Sequence, residues 1–375
     1  MTLAFDELRA AYRGRRVLLT GHTGFKGAWL ALWLKQLGAE VCGVGLRPPT
    51  EPNLHEIIQG HAFAQQVECD IRDQARLSGV IRAFAPDLVF HLAAQPLVRR
   101  SYAEPLETFE TNALGTANLL EGIRRAELPC GVLVVTSDKC YENQGWEYGY
   151  REHDPLGGHD IYSMSKAATE LVVQAWRKSF FQTNPKLGNL ASARAGNVIG
   201  GGDYALDRIV PDCLRALMAG QPIAVRNPAA TRPWQHVLDC LSGYLWLGAR
   251  LARAEKNATF ASAFNFGPGV QANRPVSVLV QEILRHWPGD WRDISDPQAP
   301  HEAGQLNLAI DKAAARLQWF PTWDFAETVA RSVAWYHQRH ARKNPDLLEF
   351  TLGQIAAFTR AAQAKQLVWA VSAAP

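Results

Sequence analysis

The 375-residue chain has little net charge and no long apolar run. It carries 39 Lys and Arg against 36 Asp and Glu, a net charge of +3, and its basic residues are scattered along the sequence. A nucleic-acid partner is therefore not expected, because following a phosphate backbone needs a dense basic surface. No stretch approaches the roughly eighteen consecutive apolar residues of a membrane-spanning helix, so no membrane partner is expected either.

Two further absences concern the cellular compartment and metal binding. Residues 1–16 lack the apolar core and the small-residue cleavage site of a secretory signal, which predicts a cytoplasmic protein. The six cysteines show no Cys-x-x-Cys spacing, and several fall in apolar stretches where a thiol behaves as a small hydrophobic side chain. We therefore expect free thiols and no metal site.

The first two thirds of the chain alternate short apolar runs with helical patterns. This alternation is typical of βαβ units, which build a parallel sheet covered by helices. From about residue 195 the pattern changes to loops with glycine and proline, mixed with shorter helices. The predicted strands lie at residues 16–20, 41–44, 67–69, 88–91, 132–135 and 190–193.

A glycine-rich turn follows the first predicted strand. Gly21, Gly24 and Gly27 have the spacing Gly-x-x-Gly-x-x-Gly and open an apolar helix. Glycines there let the backbone turn tightly and bring a pyrophosphate against the helix N-terminus. We therefore predict an α/β fold, a Rossmann-type doubly wound parallel sheet, in which residues 1–195 bind a dinucleotide. Residues 196–375 are predicted to form mainly a smaller mixed α/β substrate-binding domain, with segments that could return to the sheet.

The residue expected to bind the adenosine ribose is not an acid in this chain. A dinucleotide-binding domain often has an acidic residue about 20 positions after the glycine loop, but Arg47 occupies that stretch. Arg47 either binds a 2′-phosphate, which would favour NADP, or lies over the adenine, or is simply solvated. Asp70, followed by Ile71, either accepts a hydrogen bond from the adenine amino group or is an ordinary residue at a strand end.

Two further segments are candidates for cofactor contacts. The fourth strand is followed by Leu92, Ala93 and Ala94, where small side chains would let a cofactor pass close to the backbone. Simple packing of the strand end is the alternative. Asn112, at the start of a predicted helix, either caps that helix or helps to order a proton-relay water.

A tyrosine and a lysine lie one helical turn apart. Tyr162 and Lys166 therefore share a helix face. A phenol has an unperturbed pKa near ~10, but a fixed ammonium and a cationic nicotinamide beside it favour the phenolate, which can accept a hydroxyl proton. Asp138 and Lys139, at the end of an apolar strand, supply an acid and a candidate second base. We interpret this set as indicating oxidation of an alcohol followed by elimination of water.

The order of these features resembles the extended short-chain dehydrogenases/reductases, which have a glycine loop, a small-residue strand end, a serine, and then the tyrosine and lysine. Longer segments are similar to the nucleotide-sugar 4,6-dehydratases, nearest to those acting on CDP-glucose, and the similarity covers nearly the whole chain. Asp138-Lys139 distinguishes this group, because thymidine-type relatives usually place an Asp-Glu pair there and epimerases place small residues. The similar segments are residues 136–141, 194–203, 232–237 and 264–268.

The resemblance implies a set of site residues, NAD as the cofactor with NADP left open, and a homodimer or homotetramer. The implied catalytic residues are Ser137, Asp138, Lys139, Tyr162 and Lys166. The implied cofactor contacts are Gly21, Thr23, Gly24, Phe25, Lys26, Gly27, Arg47, Asp70, Ile71, Leu92, Ala93, Ala94, Asn112, Thr136, Tyr162 and Lys166. The implied contacts with a nucleotide-sugar substrate are Gln95, Ser137, Arg194, Asn197, Arg208, Arg232, Trp234, His236 and Glu302.

The resemblance also implies a reaction. Tyr162, with Lys166 lowering its pKa and Ser137 holding the hydroxyl, would remove the proton of the glucosyl 4-OH as C4 gives a hydride to NAD. The resulting ketone acidifies the C5 hydrogen, so that a base removes it while protonated Asp138 gives a proton to the departing 6-OH. Lys139 is the candidate base. Return of the hydride to C6 would then give CDP-4-dehydro-6-deoxy-D-glucose from CDP-D-glucose with no net oxidation.

One departure from the family pattern concerns the substrate diphosphate. Relatives commonly have an arginine where this chain has His301-Glu302-Ala303, so Arg232 and Arg208 would carry the phosphate charge. Glu302 either accepts a hydrogen bond from the substrate or is exposed. Two alternatives stay open: a 4,6-dehydratase or 4-epimerase acting on a UDP, dTDP or GDP sugar, and a non-catalytic dinucleotide-sensing protein. The intact tyrosine and lysine argue against the sensor, because a binding protein needs no proton-transfer pair.

Overall fold

The computed structural model describes residues 6–253, 255–296, 305–341 and 345–371, and the elements named here lie within them. The strands are β1 (Arg16–Thr20), β2 (Glu40–Gly45), β3 (Gln65–Glu68), β4 (Leu88–His91), β5 (Gly131–Val135), β6 (Leu190–Arg194), β7 (Val198–Ile199), β8 (Ile223–Val225), β9 (Thr231–Pro233), β10 (Gln235–His236), β11 (Ala263–Asn265), β12 (Asn273–Pro275) and β13 (Trp291–Asp293). The α-helices are α1 (Asp6–Tyr12), α2 (Phe25–Gln36), α3 (Leu54–Ala62), α4 (Gln74–Phe84), α5 (Val98–Ala103), α6 (Pro105–Phe109), α7 (Gly115–Arg125), α8 (Ile161–Trp176), α9 (Ile209–Met218), α10 (Val237–Leu251), α11 (Val276–His286), α12 (Asp311–Leu317), α13 (Phe325–Ala341) and α14 (Leu347–Ala364). π-Helical turns occur at Glu110–Leu114 and Arg177–Phe181, and 3₁₀ turns at Asp138–Cys140 and Val270–Ala272.

A parallel sheet of seven strands forms the centre of the molecule, in the order β11-β6-β5-β4-β1-β2-β3. All six predicted strands belong to it, and each observed strand overlaps its predicted range. The strand order reverses between β1 and β4, so the loops at the carboxyl ends of these two strands diverge and leave a crevice for a ligand. The predicted doubly wound α/β fold is confirmed.

The seventh strand comes from the second half of the chain. β11 pairs in parallel with β6, with Phe264 opposite Ala193. Helix α10, from the same half, packs against β5 and is buried along its length apart from Arg250. Segments of the predicted substrate-binding half therefore return to the sheet, and the boundary at residue 195 stays a prediction.

Tryptophan side chains fill the layer between α2 and the C-terminal helix. Trp29 and Trp33 of α2 are fully buried. The ring of Trp33 meets those of Phe358 and Trp369 edge to face, with centroids 5.8 and 6.0 Å apart. Trp323 contacts Phe358 in the same way at 4.9 Å. Helix α14 is thereby packed onto the body of the protein, because aromatic side chains of this size bury much apolar area.

Short strand pairs follow β6 and stand apart from the central sheet. They are β7 with β10, β9 with β12, and β8 with β13. Residues of β7, β8 and β9 form part of the wall of a cavity at the carboxyl edge of the central sheet. All six cysteines are buried free thiols. Within the described residues, no helix combines the length and the apolar character needed to cross a membrane.

Candidate active site

A cavity of about 1320 Å³ lies at the carboxyl ends of the central strands. Its wall runs from the glycine loop after β1, past the ends of β3 and β4, to the residues after β5 and the first turns of α8. The loop before α9, together with β8 and β9, forms the other side. A cavity of this size at the switch point of a doubly wound sheet has room for a dinucleotide and a second ligand.

Three glycines shape the end of the cavity next to β1. Gly21 has a φ of +73°, and a Cβ atom at this position would overlap the backbone of Ala93. A Cβ atom at Gly27 would overlap the carbonyl group of Gly21. Gly24 caps α2 without a side-chain hydrogen bond, which leaves the helix N-terminus open at the cavity wall. The close backbone approach and the open helix N-terminus fit the pyrophosphate of a dinucleotide.

The region where the adenosine of a dinucleotide would lie contains an ion pair that sequence reasoning missed. Arg72 donates through Nη2 to Oδ2 of Asp70 at 2.7 Å, and its Nε lies 3.0 Å from the same oxygen. These hydrogen bonds lower the pKa of Asp70. Asp70 and Ile71 both line the cavity. Arg47 also lines it, with an exposed side chain whose Nε is 3.5 Å from Glu68 Oε2.

Gln95 and Asn112 hold the loop after β4 in place. The backbone N–H of Gln95 donates to Asn112 Oδ1 at 2.8 Å, and Asn112 Nδ2 donates to Ser165 Oγ at 2.8 Å. The Gln95 side chain donates to Thr108 Oγ1 at 2.9 Å and to the carbonyl of Leu97 at 3.0 Å. The Asn112 side chain ties this loop to α8 and does not line the cavity, and its predicted cofactor contact stays a prediction. Four predicted contacts from the same loop line the cavity: Leu92, Ala93 and Ala94, predicted for the cofactor, and Gln95, predicted for the substrate.

Tyr162 and Lys166 lie in the first two turns of α8, which begins after Asp160. The Asp160 carboxylate caps the helix by accepting a backbone N–H at 2.9 Å. Burial raises the pKa of Tyr162 to about 12, and a hydrogen bond with Ser137 opposes that rise. Burial, followed by the positive charge of Lys26, lowers the pKa of Lys166 to about 8. The phenol therefore needs further positive charge in the cavity before it can act as a base at neutral pH.

Ser137 and Asp138 are coupled directly after β5. Ser137 Oγ donates to Asp138 Oδ1 at 2.8 Å and accepts the backbone N–H of Lys139 at 3.2 Å. Asp138 is 1% exposed, and its Oδ2 has no hydrogen-bond partner among the described residues. Gly196 leaves the room for this carboxylate, since a Cβ atom there would overlap it. The half-buried Lys139 lines the cavity beside these groups, so the predicted acid and base lie at the same end as Tyr162.

Arg194 lies outside the cavity lining, in a buried network. Its Nη2 donates to Glu170 Oε2 at 2.8 Å, and its Nη1 donates to the hydroxyl of Tyr141 at 2.7 Å. Glu170 also accepts from Thr136 Oγ1 at 2.5 Å and Ser192 Oγ at 2.8 Å. Burial opposes both charges, yet each partner favours the other's ionised form: the pKa of Glu170 lies below its usual range and that of Arg194 above. Arg194 therefore ties α8 to β6, and its predicted role as a substrate contact stays a prediction.

His236 is also absent from the cavity lining. It is fully buried, and its ring lies 4.7 Å from that of Trp323 and 6.1 Å from that of Trp29. Its Nδ1 accepts the backbone N–H of Leu238 at 3.2 Å, which caps α10. Burial lowers the pKa of His236 to about 3, so the ring is neutral. His236 therefore occupies a core position in this structure, and the predicted substrate contact stays a prediction.

The side of the cavity opposite the glycine loop contains four of the predicted substrate contacts. Arg208 pairs with Asp203, with Nη1 2.9 Å from Oδ2. Trp234 Nε1 donates to the carbonyl of Arg274 at 3.0 Å, which fixes the indole. Glu302 lies outside the described residues. The four are Asn197, Arg208, Arg232 and Trp234.

Sequence reasoning missed a second group of charges in the cavity wall. Asp207 Oδ1 lies 2.7 Å from Arg226 Nη1 and 3.7 Å from Arg99 Nε. These residues are far apart in sequence, so no local pattern joins them. Glu170 was also missed, although it follows Lys166 by one helical turn and the spacing places both on one face of α8.

The glycine loop, the tyrosine and lysine on one face of α8 and the serine facing them define the class of extended short-chain dehydrogenases/reductases. Residues 18–332 match the family described as GDP-mannose 4,6 dehydratase. The chain is 46% identical over 332 residues to CDP-glucose 4,6-dehydratase of Salmonella typhimurium, covering 87% of this chain and 91% of that protein. The chain belongs to the nucleotide-sugar 4,6-dehydratase family, and the predicted resemblance is confirmed.

More distant similarities include a curated sequence and a solved structure with the same fold. The dTDP-glucose 4,6-dehydratase of Streptomyces antibioticus is 30% identical over 268 residues, covering 69% of this chain and 72% of that protein. A dTDP-glucose 4,6-dehydratase from Streptomyces venezuelae, solved with NAD and TYD bound, is 25% identical, with a TM-score of 0.72. That match covers 87% of this chain and 98% of the solved one.

Proposed function

We propose that this enzyme converts CDP-D-glucose to CDP-4-dehydro-6-deoxy-D-glucose with NAD as a resident cofactor. The observation that carries the proposal is the placement of Tyr162, Ser137, Asp138 and Lys139 at one end of a cavity whose other end has a dinucleotide loop. The 46% identity to a CDP-glucose 4,6-dehydratase supports the choice of nucleotide sugar. The Asp-Lys dipeptide at positions 138 and 139 supports dehydration over simple epimerisation.

The first half of the reaction is the oxidation of C4. Gly21, Gly24 and Gly27 shape the end of the cavity that would hold NAD, which would supply the hydride acceptor for C4 and the hydride donor for C6. Tyr162 accepts the proton of the 4-hydroxyl group. Ser137, which forms a hydrogen bond with the Tyr162 phenol, holds the same hydroxyl group of the substrate. Lys166, protonated below its pKa of about 8, stabilises the phenolate.

The second half is the loss of the 6-hydroxyl group. The ketone at C4 makes the C5 hydrogen acidic, and Lys139 is the proposed base that removes that proton. Asp138, in its protonated form, delivers a proton to the departing oxygen from the Oδ2 atom that has no partner within the described chain. Ser137 holds Oδ1 of the same carboxyl group, which orients Oδ2.

The nucleotide diphosphate is proposed to bind on the side of the cavity opposite the glycine loop. Arg208 and Arg232 line that side and supply the positive charge that a diphosphate requires. Asn197 and Trp234 are proposed to contact the sugar or the base. Arg47 lines the cavity at the end where the adenosine of the cofactor would lie, and its exposed side chain could pair with the 2′-phosphate of NADP.

We also propose that the enzyme is a homo-oligomer, a dimer or a tetramer, working in the cytoplasm where NAD and nucleotide sugars are supplied. Large apolar side chains are exposed along α5, α6, α8 and the turn before α7, and a second copy of the chain would cover them. Light scattering on the purified protein measures the assembly. The exposed residues are Tyr102, Leu106, Leu114, Met164 and Leu171.

A panel of nucleotide glucoses tests the proposed reaction. Incubation with CDP-, dTDP-, UDP- and GDP-glucose, followed by the alkali-induced absorbance of 4-keto sugars, is expected to give a strong signal with CDP-glucose alone. A signal with another nucleotide would move the proposal to that nucleotide. Interconversion of C4 epimers without a 6-deoxy product would replace the proposed dehydratase by a 4-epimerase. Cofactor binding without turnover of any nucleotide sugar would replace it by a dinucleotide-sensing protein.

A further inference from the structure

Lys26 is a lysine in the wall of the catalytic cavity that the proposed mechanism does not use. It is the second residue of α2, within the glycine loop motif, and its side chain reaches Tyr244 of α10, with Nζ 6.0 Å from the centre of that ring. In the parts of the chain that the structure describes, no carboxylate lies within ion-pair distance of this ammonium. A charge in such a place is costly unless a ligand or a function compensates for it.

The groups that face Lys26 come from several elements. Cys240 and Tyr244 lie on α10, Arg208 and Asp203 lie on the loop before α9, and Asp138 follows β5. Burial lowers the pKa of Lys26 and Arg208 acts in the same direction, whereas Cys240, Asp138 and Asp203 oppose them.

Lys26 also acts on the catalytic helix, because its charge contributes to the lowered pKa of Lys166 on α8. Lys26 lines the same cavity as Tyr162 and Lys166, and it belongs to the glycine motif that would receive a pyrophosphate. A nicotinamide that reaches from this motif to Tyr162 would therefore lie in a cavity that has the Lys26 ammonium in its wall.

We propose that the Lys26 ammonium raises the oxidising power of the bound cofactor by disfavouring NAD⁺ relative to NADH. The inference rests on the proposed use of NAD. Oxidation moves the C4 hydrogen with two electrons to the nicotinamide, which loses its positive charge, and the hydroxyl proton goes to Tyr162. A fixed cation beside the ring repels the reactant state and not the neutral product state, so it shifts this equilibrium toward the 4-ketone.

The test compares the affinities of the full-length protein for the two forms of the cofactor. Lys26→Met removes the charge and keeps a long apolar stem, while Lys35→Met, at the exposed end of the same helix, is the matched control. NADH binding is followed by its fluorescence, and NAD⁺ binding is measured by calorimetry or by competition. Neither measurement requires turnover.

In Lys26→Met the ratio Kd(NAD⁺)/Kd(NADH) is expected to fall about tenfold, or ~1.4 kcal/mol, which is the order of a like-charge contact in a protein interior. Lys35→Met is expected to keep the wild-type ratio. Equal weakening of both forms would overturn the inference, because it would show that Lys26 contacts the phosphates that the two forms share. An unchanged ratio would overturn it as well.

Two further measurements keep the inference testable if Lys26→Met folds poorly. Lys26→Gln, a polar neutral variant, is expected to lower the ratio in the same direction. In the wild type the ratio is expected to fall as pH rises, since deprotonation of Lys26 removes the repulsion, and a pH-independent ratio would count against the inference. A wild-type protein that bound neither form would refute the proposed function instead.

Discussion

Replacement of Asp138 by asparagine is expected to separate the two halves of the proposed reaction. The carboxyl group is 1% exposed, and Ser137 occupies Oδ1 at 2.8 Å, which leaves Oδ2 as the atom that can donate a proton. Asparagine has the same shape and keeps an acceptor for Ser137, so it fits against Gly196 without rearrangement. Its amide group cannot donate a carboxylic proton to the departing 6-hydroxyl group.

The size of the effect follows from the role assigned to this group. Loss of a general acid typically slows a step by about 10²-fold or more, which is ~2.7 kcal/mol of transition-state stabilisation. C4 oxidation needs Tyr162 and Lys166, whose positions on α8 do not depend on the Asp138 proton, so that step is expected to change by only a few fold. The variant should therefore accumulate reduced cofactor.

A single-turnover experiment with CDP-glucose measures both halves. The absorbance of NADH reports C4 oxidation, and the alkali-induced absorbance of the 4-keto-6-deoxy sugar reports elimination. Asp154→Asn is the matched control, because Asp154 is also a buried carboxylate, accepts the backbone N–H of Arg151 at 2.8 Å and does not line the cavity. Full product formation by Asp138→Asn would remove this residue from the acid role, and loss of both signals would assign it to substrate binding.

Other predictions test the remaining roles. Tyr162→Phe is expected to slow C4 oxidation by at least about 10²-fold with substrate binding little changed, and wild-type turnover would refute its role as the base. Arg47→Asp is expected to shift the NAD to NADP affinity ratio about tenfold toward NAD, and an unchanged ratio in direct binding would assign Arg47 to solvent. Glu170→Ala leaves the buried Arg194 without its ion-pair partner and is expected to lower the free energy of unfolding in denaturant by about 3–5 kcal/mol. Glu327→Ala breaks an exposed pair and is expected to lower it by less than about 1 kcal/mol, so equal losses would contradict the assignment. Single-turnover oxidation is expected to fall as pH rises above about 8, because Lys166 then loses the proton that stabilises the phenolate, and a rate still rising there would contradict that assignment.

Local patterns were sufficient to predict the sheet and one end of the site. The six predicted strands and the glycine loop are short-range features, because apolar runs, turn residues and backbone freedom are properties of neighbouring residues. The spacing of Tyr162 and Lys166 needs only the pitch of a helix. The seventh strand, β11, was not predicted, because a strand of three residues is too short to show a recognisable apolar run. Its pairing with β6 also joins residues about seventy positions apart.

The direction of single side chains was decided by the tertiary structure alone. Arg194 is the last residue of β6, where a ligand contact could lie, but its guanidinium donates to Glu170 of α8 in the interior at 2.8 Å. His236 belongs to a motif of the family, yet its ring fills a gap between two tryptophans. Lys26 lies in a glycine motif that the sequence marks clearly, but only the packing places it in the wall of the same cavity as Lys166, 140 positions away. Sequence spacing determines the face of an element on which a residue lies, whereas the partner it meets there depends on how distant elements pack.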